Sequence, residues 1–361
     1  MIRTFHSIGQ GAFYTEEFDE FRFVYDCGTD TDGKKRIEKY IKNHFKENDI
    51  INALFISHFH RDHINGLEYL LSNFEVEKVF IPQYEVYEHV LDFMYTDGNL
   101  NSFDTKLTIN PVETIKSTSP QTKVILVKKH MFGDDPDEIN IDALDDGDVI
   151  NSGTLLHSCI PNWIFIPINY DNSNRSSIFK RFLKNHNIEF NFPEDFITAW
   201  NSKKTKREIK QAFDKLPKNQ NENSMVVYSG PNSDEKYRQY MQLSLPFHFH
   251  FQHFMPLLSI DAGCIYFGDY ETHDDAWTET DRILNKYYSL TGVIQIPHHG
   301  SSENYRDEIN MKRFLYSVIS YGTTNKHGHP GSFTTASITK NHGILLEVTE
   351  NPYTRVHFFV E

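Results

Sequence analysis

Four residues of the types that bind metal ions lie close together in the segment His58-Phe59-His60-Arg61-Asp62-His63. Imidazole and carboxylate groups in combination suit Zn²⁺, Mn²⁺ or Fe ions. Alternate residues at the exit of a strand point in the same direction, so His58 and His60 are predicted to hold one ion. Asp62 and His63 follow where the chain turns into a helix, so they are expected to face another. The segment therefore predicts a centre of two divalent ions, Zn²⁺ or Mn²⁺.

The elements around this segment are those of a layered α/β domain. Residues 50–56 form a continuous apolar run that predicts a buried strand, and residues 63–73 have the spacing of a helix. Upstream, residues 2–8 and 21–25 alternate in the manner of a β-hairpin that ends in Asp26-Cys27-Gly28. Strands that alternate with helices favour an α/β fold.

Two later strands end in residues of the same chemical types. A strand from Cys264 is followed by Gly268-Asp269, and a strand at 292–296 is followed by Pro297-His298-His299-Gly300-Ser301-Ser302. A Gly-Asp pair after a strand is by itself a common turn. One of the two histidines is expected to complete the site of the second ion.

The order of these motifs resembles the metallo-β-lactamase superfamily, in which His-x-His-x-Asp-His follows a buried strand. The resemblance implies an αββα sandwich with the metals at one edge, bound by loops that leave the strands. It also implies that Asp269 bridges both ions and, from the serine pattern of nuclease members, that His299 rather than His298 is a ligand. The ligand set that it implies is His58, His60, Asp62, His63, Asp269 and His299.

The closing motif Gly322-Thr-Thr-Asn325-Lys-His327-Gly328-His329-Pro330 resembles that of ComEC-type DNA-uptake competence proteins. Asn223-Ser224 resembles a further element of those proteins. The resemblance covers the two ends of the chain and little of residues 84–220. It therefore implies one domain over residues 1–361, with a variable insert at about 84–220 between its two halves. Because the chain lacks the membrane segments of that family, a stand-alone hydrolase is expected, and a role in DNA uptake does not carry over.

The first ion lacks an obvious third ligand. Many superfamily members supply another histidine between the first motif and the Gly-Asp strand. The sequence leaves open whether a residue of this kind or none takes that place; the candidates are His157, Asn221, Asn223, His248, His250 and His253.

The chemistry expected of such a centre is hydrolysis. Two ions about 3.5–4 Å apart lower the pKa of a bridging water, so that a hydroxide attacks the substrate. His298 or His329 could protonate the leaving group, and both are counted with Asp62 as catalytic candidates. Ser301 and Ser302 could bind phosphate at the start of a helix predicted over 303–314, or cap that helix.

The leading hypothesis is a phosphodiesterase or nuclease that acts on nucleic acid or nucleotides. The closing motif supports it, together with the basic helical segment at 203–218, although a solvated helix face is the favoured explanation of that segment. The alternative is a small-molecule lactone, thioester or amide hydrolase, favoured by the net charge of −14 and by 29 Phe and 19 Tyr that could line an apolar pocket. A metal-stabilised scaffold without activity is a third possibility.

Composition excludes several other classes. A net charge of −14 argues against a protein that coats nucleic acid through a general basic surface. The first residues lack the apolar core of a signal peptide, and no apolar run is long enough to cross a membrane. The cysteines are isolated and odd in number, as in a reducing compartment. The sequence predicts a cytoplasmic protein without a membrane partner; protein partners are not indicated.

Overall fold

Two β-sheets with helices on their outer faces make up the structure, a computed structural model. It describes residues 1–129, 136–170, 174–190, 192–216, 224–233, 237–243, 260–272, 274–311 and 315–361. The strands are β1 Ile2–Phe5, β2 Gly11–Glu17, β3 Arg22–Thr29, β4 Ile50–Phe55, β5 Glu75–Pro82, β6 Lys123–Val127, β7 Glu138–Asn140, β8 Val149–Ile150, β9 Leu155–His157, β10 Trp163–Ile168, β11 Val226–Pro231, β12 Arg238–Leu243, β13 Ile260–Asp261, β14 Gly263–Tyr266, β15 Thr291–Gln295, β16 Tyr316–Ser320, β17 Ile344–Val348 and β18 Val356–Val360. The α-helices are α1 Lys34–His44, α2 Arg61–Ile64, α3 Leu67–Asn73, α4 Val86–Phe93, α5 Phe103–Ile109, α6 Pro111–Thr118, α7 Asn174–Asn185, α8 Glu194–Asn201, α9 Lys203–Asp214, α10 Asp274–Leu284, α11 Glu308–Met311 and α12 Ser332–Lys340.

The strand order places the predicted site residues at strand ends. In the described ranges, the first sheet has the order β13-β12-β18-β1-β2-β3-β4-β5-β6-β8, and the second has the order β17-β16-β15-β14-β11-β10-β9-β7. Strands β3 to β5 run parallel to one another, as do β14 to β17. The predicted metal-binding segment follows β4, and the later motifs follow β14, β15 and β16.

Aromatic side chains fill the space between the two sheets. Phe23 stacks on Phe165 with ring centroids 5.2 Å apart, and Tyr25 stacks on Tyr266 at 5.1 Å. All of these rings are fully buried. A large part of the aromatic content therefore forms the interior of the sandwich, which weakens it as support for an apolar substrate pocket.

Helices pack on the outer face of each sheet through regularly spaced apolar residues. Ile37 and Leu70 lie in a buried cluster with the first sheet. Trp277 and Ile338 lie in a buried cluster with the second. The αββα sandwich predicted from the sequence is thereby confirmed.

The segment 84–220, predicted to be a variable insert, supplies strands β6 to β10 to both sheets. Its helices α4, α7, α8 and α9 form a separate apolar cluster that contains Phe93, Phe196 and Trp200. The division into a single domain with an insert stays a prediction, but part of this range is integral to the sandwich. In the described residues, no helix is long and apolar enough to cross a membrane.

Two predicted helices differ from those observed. The helix expected over 63–73 is two helices, α2 and α3, separated at Asn65. The side chain of Asn65 bonds to both the N–H and the carbonyl of Thr29, which holds this break against β3. The helix expected over 303–314 begins only at Glu308. Ser301 and Ser302 therefore do not lie at a helix N-terminus, and the phosphate site predicted there on that basis is wrong.

Acid is expected to weaken the fold through histidines near the paired ends of the chain. Burial, together with the positive charge of Arg355, lowers the pKa of His44 and of His357 to about 4. The unfolded chain then binds more protons than the folded one between pH 4 and the ordinary histidine pKa of about 6.5. The free energy of unfolding should therefore fall as pH falls through this window. Urea unfolding at several pH values measures the slope, which should be smaller in His44→Gln; an equal slope would contradict the assignment.

Candidate metal centre

His58, His63 and Asp269 form one compact group of metal-binding side chains. One donor atom from each lies within 4.8 Å of the other two, and all three side chains are buried. His63 Nε2 is 3.2 Å from Asp269 Oδ1, and His58 Nε2 is 3.8 Å from Asp269 Oδ2. The carboxylate that follows β14 thus meets two histidines that follow β4.

A second group overlaps the first. Asp62, His63 and His299 also have donor atoms within 4.8 Å of one another. His299 Nε2 lies 3.2 Å from Asp62 Oδ2 and 3.7 Å from Asp269 Oδ1. His63 belongs to both groups, and Asp269 lies between them. The arrangement suits two neighbouring ions.

Several buried donor atoms here lack a hydrogen-bond partner among the described residues. They are His58 Nε2, His63 Nε2 and Asp269 Oδ1. A buried polar atom without a partner costs about 1–3 kcal/mol, more for a charged group. A divalent cation would satisfy all three at once, and nitrogen with carboxylate oxygen is a donor set that such ions accept. The residues present therefore fit the metal ions that the sequence predicts.

The carboxylates and imidazoles strongly perturb one another's proton affinity. Burial lowers the pKa of His63, but the nearby Asp269, Asp26 and Asp62 outweigh it and raise that pKa well above its usual value. Burial raises the pKa of Asp269, but His298 and His63 hold it well below the usual range. The cluster therefore favours charged carboxylates.

Asp26 fixes the orientation of the His63 ring through a hydrogen bond to Nδ1. Its Oδ2 accepts a hydrogen bond from His63 Nδ1 at 2.7 Å, so His63 Nε2 points toward Asp269. The N–H and the hydroxyl of Ser57 also donate to Asp26, each at 2.7 Å. A carboxylate bonded to the far nitrogen of a metal-binding histidine fixes the ring and its tautomer. The sequence marked Asp26 only as the end of a strand, so this role was missed.

Asp26→Asn is expected to weaken metal binding without removing a donor from either group. An amide cannot accept from His63 and Ser57 in the same way, so the imidazole loses its fixed orientation. Loss of such an orienting partner costs roughly 10–100-fold in metal affinity. Competition with a chromophoric chelator measures the dissociation constant, and an affinity equal to that of the wild type would refute the role.

The backbone that carries His298 and His299 is held in a left-handed conformation. Their φ angles are 48° and 53°, values that residues other than glycine rarely adopt. Such conformations persist where the surroundings fix them, commonly at functional sites. His299 Nδ1 bonds to the carbonyl of Ser320 at 2.8 Å, which directs Nε2 toward Asp62.

Close packing around Gly268 positions Asp269. Gly268 has a φ of 56°, and a Cβ there would lie 2.4 Å from the hydroxyl of Ser224. That hydroxyl accepts the N–H of Asp269 at 3.0 Å. Ser224, singled out in the sequence only as part of a motif, thus holds the backbone of the central carboxylate.

His60 does not join either group. Its Nε2 faces Asp92 Oδ1 at 3.7 Å, and its ring lies 4.6 Å from that of Tyr95, centroid to centroid. It remains beside the centre, because its ring is 4.5 Å from the ring of His58. The predicted pairing of His58 with His60 is therefore less close than the observed grouping of His58 with His63. Sequence reasoning missed Asp92, which comes from α4 within the range expected to be an insert.

The two remaining catalytic candidates line one side of the centre. His298 Nε2 is 3.7 Å from Asp269 Oδ2, and the His329 ring lies 5.5 Å from the His298 ring. Asn325 organises the loop, because its side chain bonds to the N–H and the carbonyl of His329. Burial and the neighbouring His298 lower the pKa of His329 to about 4. His329 is thus neutral at pH 7 and must first gain a proton before it donates one.

Of the other candidates for a third ligand, only His157 lies within the described residues, and it faces away from the centre. His157 lies on β9, where its Nε2 is 3.3 Å from Glu138 Oε2. Asn221, Asn223, His248, His250 and His253 lie outside the described residues.

Three solved structures resemble this chain remotely. Human tRNase Z, short form, is 10% identical at a TM-score of 0.38, covering 97% of this chain and 92% of that one. The metallo-beta-lactamase fold protein YhfI from Bacillus subtilis is 6% identical at 0.38, covering 100% and 99%. MEM-A1, a subclass B3 metallo-beta-lactamase from a soil metagenome library, is 8% identical at 0.31, covering 86% and 83%. Likenesses this remote carry no argument about activity.

Comparison with protein families is more direct. No curated protein sequence matches this chain. Residues 15–163, which include the segment from His58 to His63, match the metallo-beta-lactamase superfamily. The narrower resemblance to ComEC-type proteins remains an interpretation of the closing motif, without support from these comparisons. Residues 15–163 thus match a metallo-beta-lactamase superfamily domain, and the fold of the described residues is an αββα sandwich.

Proposed function

We infer that the protein is a metal-dependent hydrolase that cleaves phosphodiesters in nucleic acid or nucleotides. The observation that carries the hydrolase assignment is the pair of overlapping His/Asp groups that share His63. A single structural ion needs only one closed set of ligands, so two adjoining sets favour catalysis over a scaffold. Zn²⁺ and Mn²⁺ both suit the donors, and a cytoplasmic location stays a prediction.

The ions would be held by His58 and Asp269 on one side and by Asp62, His63 and His299 on the other, because Nδ1 of His63 bonds to Asp26 and its Nε2 can bind only one ion. Bound divalent ions supply Lewis acidity toward a phosphoryl oxygen and lower the pKa of water. Asp26 and Ser320 fix the orientation of His63 and His299.

The groups beside the centre favour an anionic substrate. His298 and His329 supply imidazoles on one side, where they can donate hydrogen bonds to substrate oxygens or exchange a proton with a leaving group. Near His60, Arg175 lies over the ring of Tyr95, and that ring packs against His60. Arg175 Nη2 also donates to the hydroxyl of Tyr95 at 2.8 Å, which fixes this cation near the centre.

One specific observation still supports the alternative of a small-molecule hydrolase. Helix α9 extends Phe213 toward Tyr95, with ring centroids 5.5 Å apart, so aromatic rings border the side of the centre near His60. Two lysines of that helix, Lys206 and Lys210, lie over Trp200 instead. The basic segment therefore supports the phosphodiesterase proposal less than its sequence indicates.

Hydrolysis of bis-p-nitrophenyl phosphate by the metal-loaded protein separates the two candidates. Turnover that is lost in Asp62→Ala/His63→Ala supports the phosphodiesterase, and single-stranded DNA, RNA and cyclic nucleotides then define the substrate. No turnover by protein that holds its full complement of metal, together with cleavage of a lactone or thioester, would contradict the proposal and support the alternative.

A further inference from the structure

One buried carboxylate beside the centre belongs to none of the predicted motifs. Asp92 lies on α4 and is 5% exposed, and its Oδ1 is 3.7 Å from His60 Nε2. Two donors that share one ion in tetrahedral geometry, each about 2.1 Å from it, lie roughly 3.4 Å apart. The distance between Asp92 Oδ1 and His60 Nε2 falls within the 3.2–3.8 Å range found between donors of the two His/Asp groups.

The helix that carries Asp92 is firmly placed. Its neighbour Phe93 packs edge-on against Phe196 and Trp200, with centroids 4.8 and 4.6 Å away. One turn earlier, Glu88 forms an ion pair with Lys129 at 2.7 Å. Residues four apart share a face of a helix, so Glu88 and Asp92 both turn toward the sandwich. Packing of helix α4 thus fixes the position of Asp92 beside His60.

Asp92 also lies beside the ion site that has the fewer ligands among the described residues. The ion nearest His58 and His60 has no third histidine among the described residues, since His157 faces Glu138 instead. We propose that Asp92 is a ligand of this ion, so that helix α4 completes the first metal site with a carboxylate. The inference rests on the proposed two-ion centre, and it makes the helical segment after β5 part of the metal-binding machinery.

Metal counting tests the proposal independently of catalysis. Wild type, Asp92→Asn and Glu88→Gln are stripped with a chelator and titrated with Zn²⁺, and bound ions are measured by mass spectrometry. Cobalt absorption spectra report the ligand set. Asp92→Asn removes one negative oxygen while it preserves side-chain volume. Glu88→Gln is the matched control, because it removes a buried carboxylate from the same face of α4 without altering a residue near His60.

Wild type and Glu88→Gln are expected to bind two ions per chain. Asp92→Asn should retain one ion tightly and bind the other more than about 100-fold more weakly than wild type does. This loss exceeds the roughly 10–100-fold loss of metal affinity that follows removal of an orienting partner. Its cobalt spectrum should change as well. Two ions at wild-type affinity in Asp92→Asn, or weaker binding with an unchanged spectrum, would overturn the ligand role. Fewer than two ions in wild type would overturn the two-ion centre itself.

Discussion

Asp269→Asn should abolish hydrolysis and disrupt binding of both metal ions. Asp269 is the carboxylate that lies between the two groups, with Oδ1 3.7 Å from His299 Nε2 and Oδ2 3.8 Å from His58 Nε2. An amide in its place carries no charge to offset two divalent ions. The specificity constant kcat/KM is expected to fall by at least about 10³-fold, more than the roughly 10–100-fold attributed to outer partners.

The measurement is steady-state hydrolysis of a phosphodiester beside a metal count on the same samples. Asp19→Asn, at an exposed position remote from the site residues in sequence, is the matched control and should leave both values unchanged. Near-normal activity in Asp269→Asn with two bound ions would exclude a bridging role for Asp269.

Glu16→Gln should destabilise the protein by about 3–5 kcal/mol, the usual result of breaking a buried ion pair. Glu16 Oε1 lies 2.7 Å from Arg3 Nε, and both side chains are fully buried between the sheets. Ser229 and Tyr266 also donate to Glu16. Neutralising Glu16 leaves the guanidinium of Arg3 buried without its counter-charge.

Urea unfolding at pH 7 measures the change in the free energy of unfolding. Asp32→Asn provides the comparison, because Asp32 pairs with Arg36 at the surface with its own side chain 74% exposed. Loss of an exposed pair costs about 0–1 kcal/mol. Equal changes in the free energy of unfolding for the two substitutions would show that the buried Arg3–Glu16 pair stabilises the sandwich no more than an exposed pair does.

The strands that carry the site could be predicted because their apolar runs are continuous and end in distinctive residues. The run at 50–56 corresponds to β4, and the one at 292–296 corresponds to β15 within a residue at each end. The donors His58 and His63 come after β4, and Asp269 comes after β14. Short-range pattern therefore located most of the centre.

What the sequence could not show depends on contacts between distant segments. Arg3 and Glu16 belong to no sequence motif, yet both are fully buried where the second sheet packs on the first. Asp92 lies in a segment without a recognisable motif, and only packing of α4 against the helical cluster brings it to His60. The grouping of His63 with His58 likewise depends on the position of Asp26 behind the ring.

The most direct test of the two-ion hydrolase is a metal titration that follows bound ions and phosphodiester hydrolysis in the same samples. Metal-free protein receives increasing Zn²⁺ or Mn²⁺, with Asp62→Ala/His63→Ala treated in parallel. A two-ion hydrolase should show no turnover without metal, a rate that rises until two ions are bound per chain, and no comparable rise in the double variant. Turnover by the metal-free protein, or equal rates in the wild type and the double variant, would contradict it.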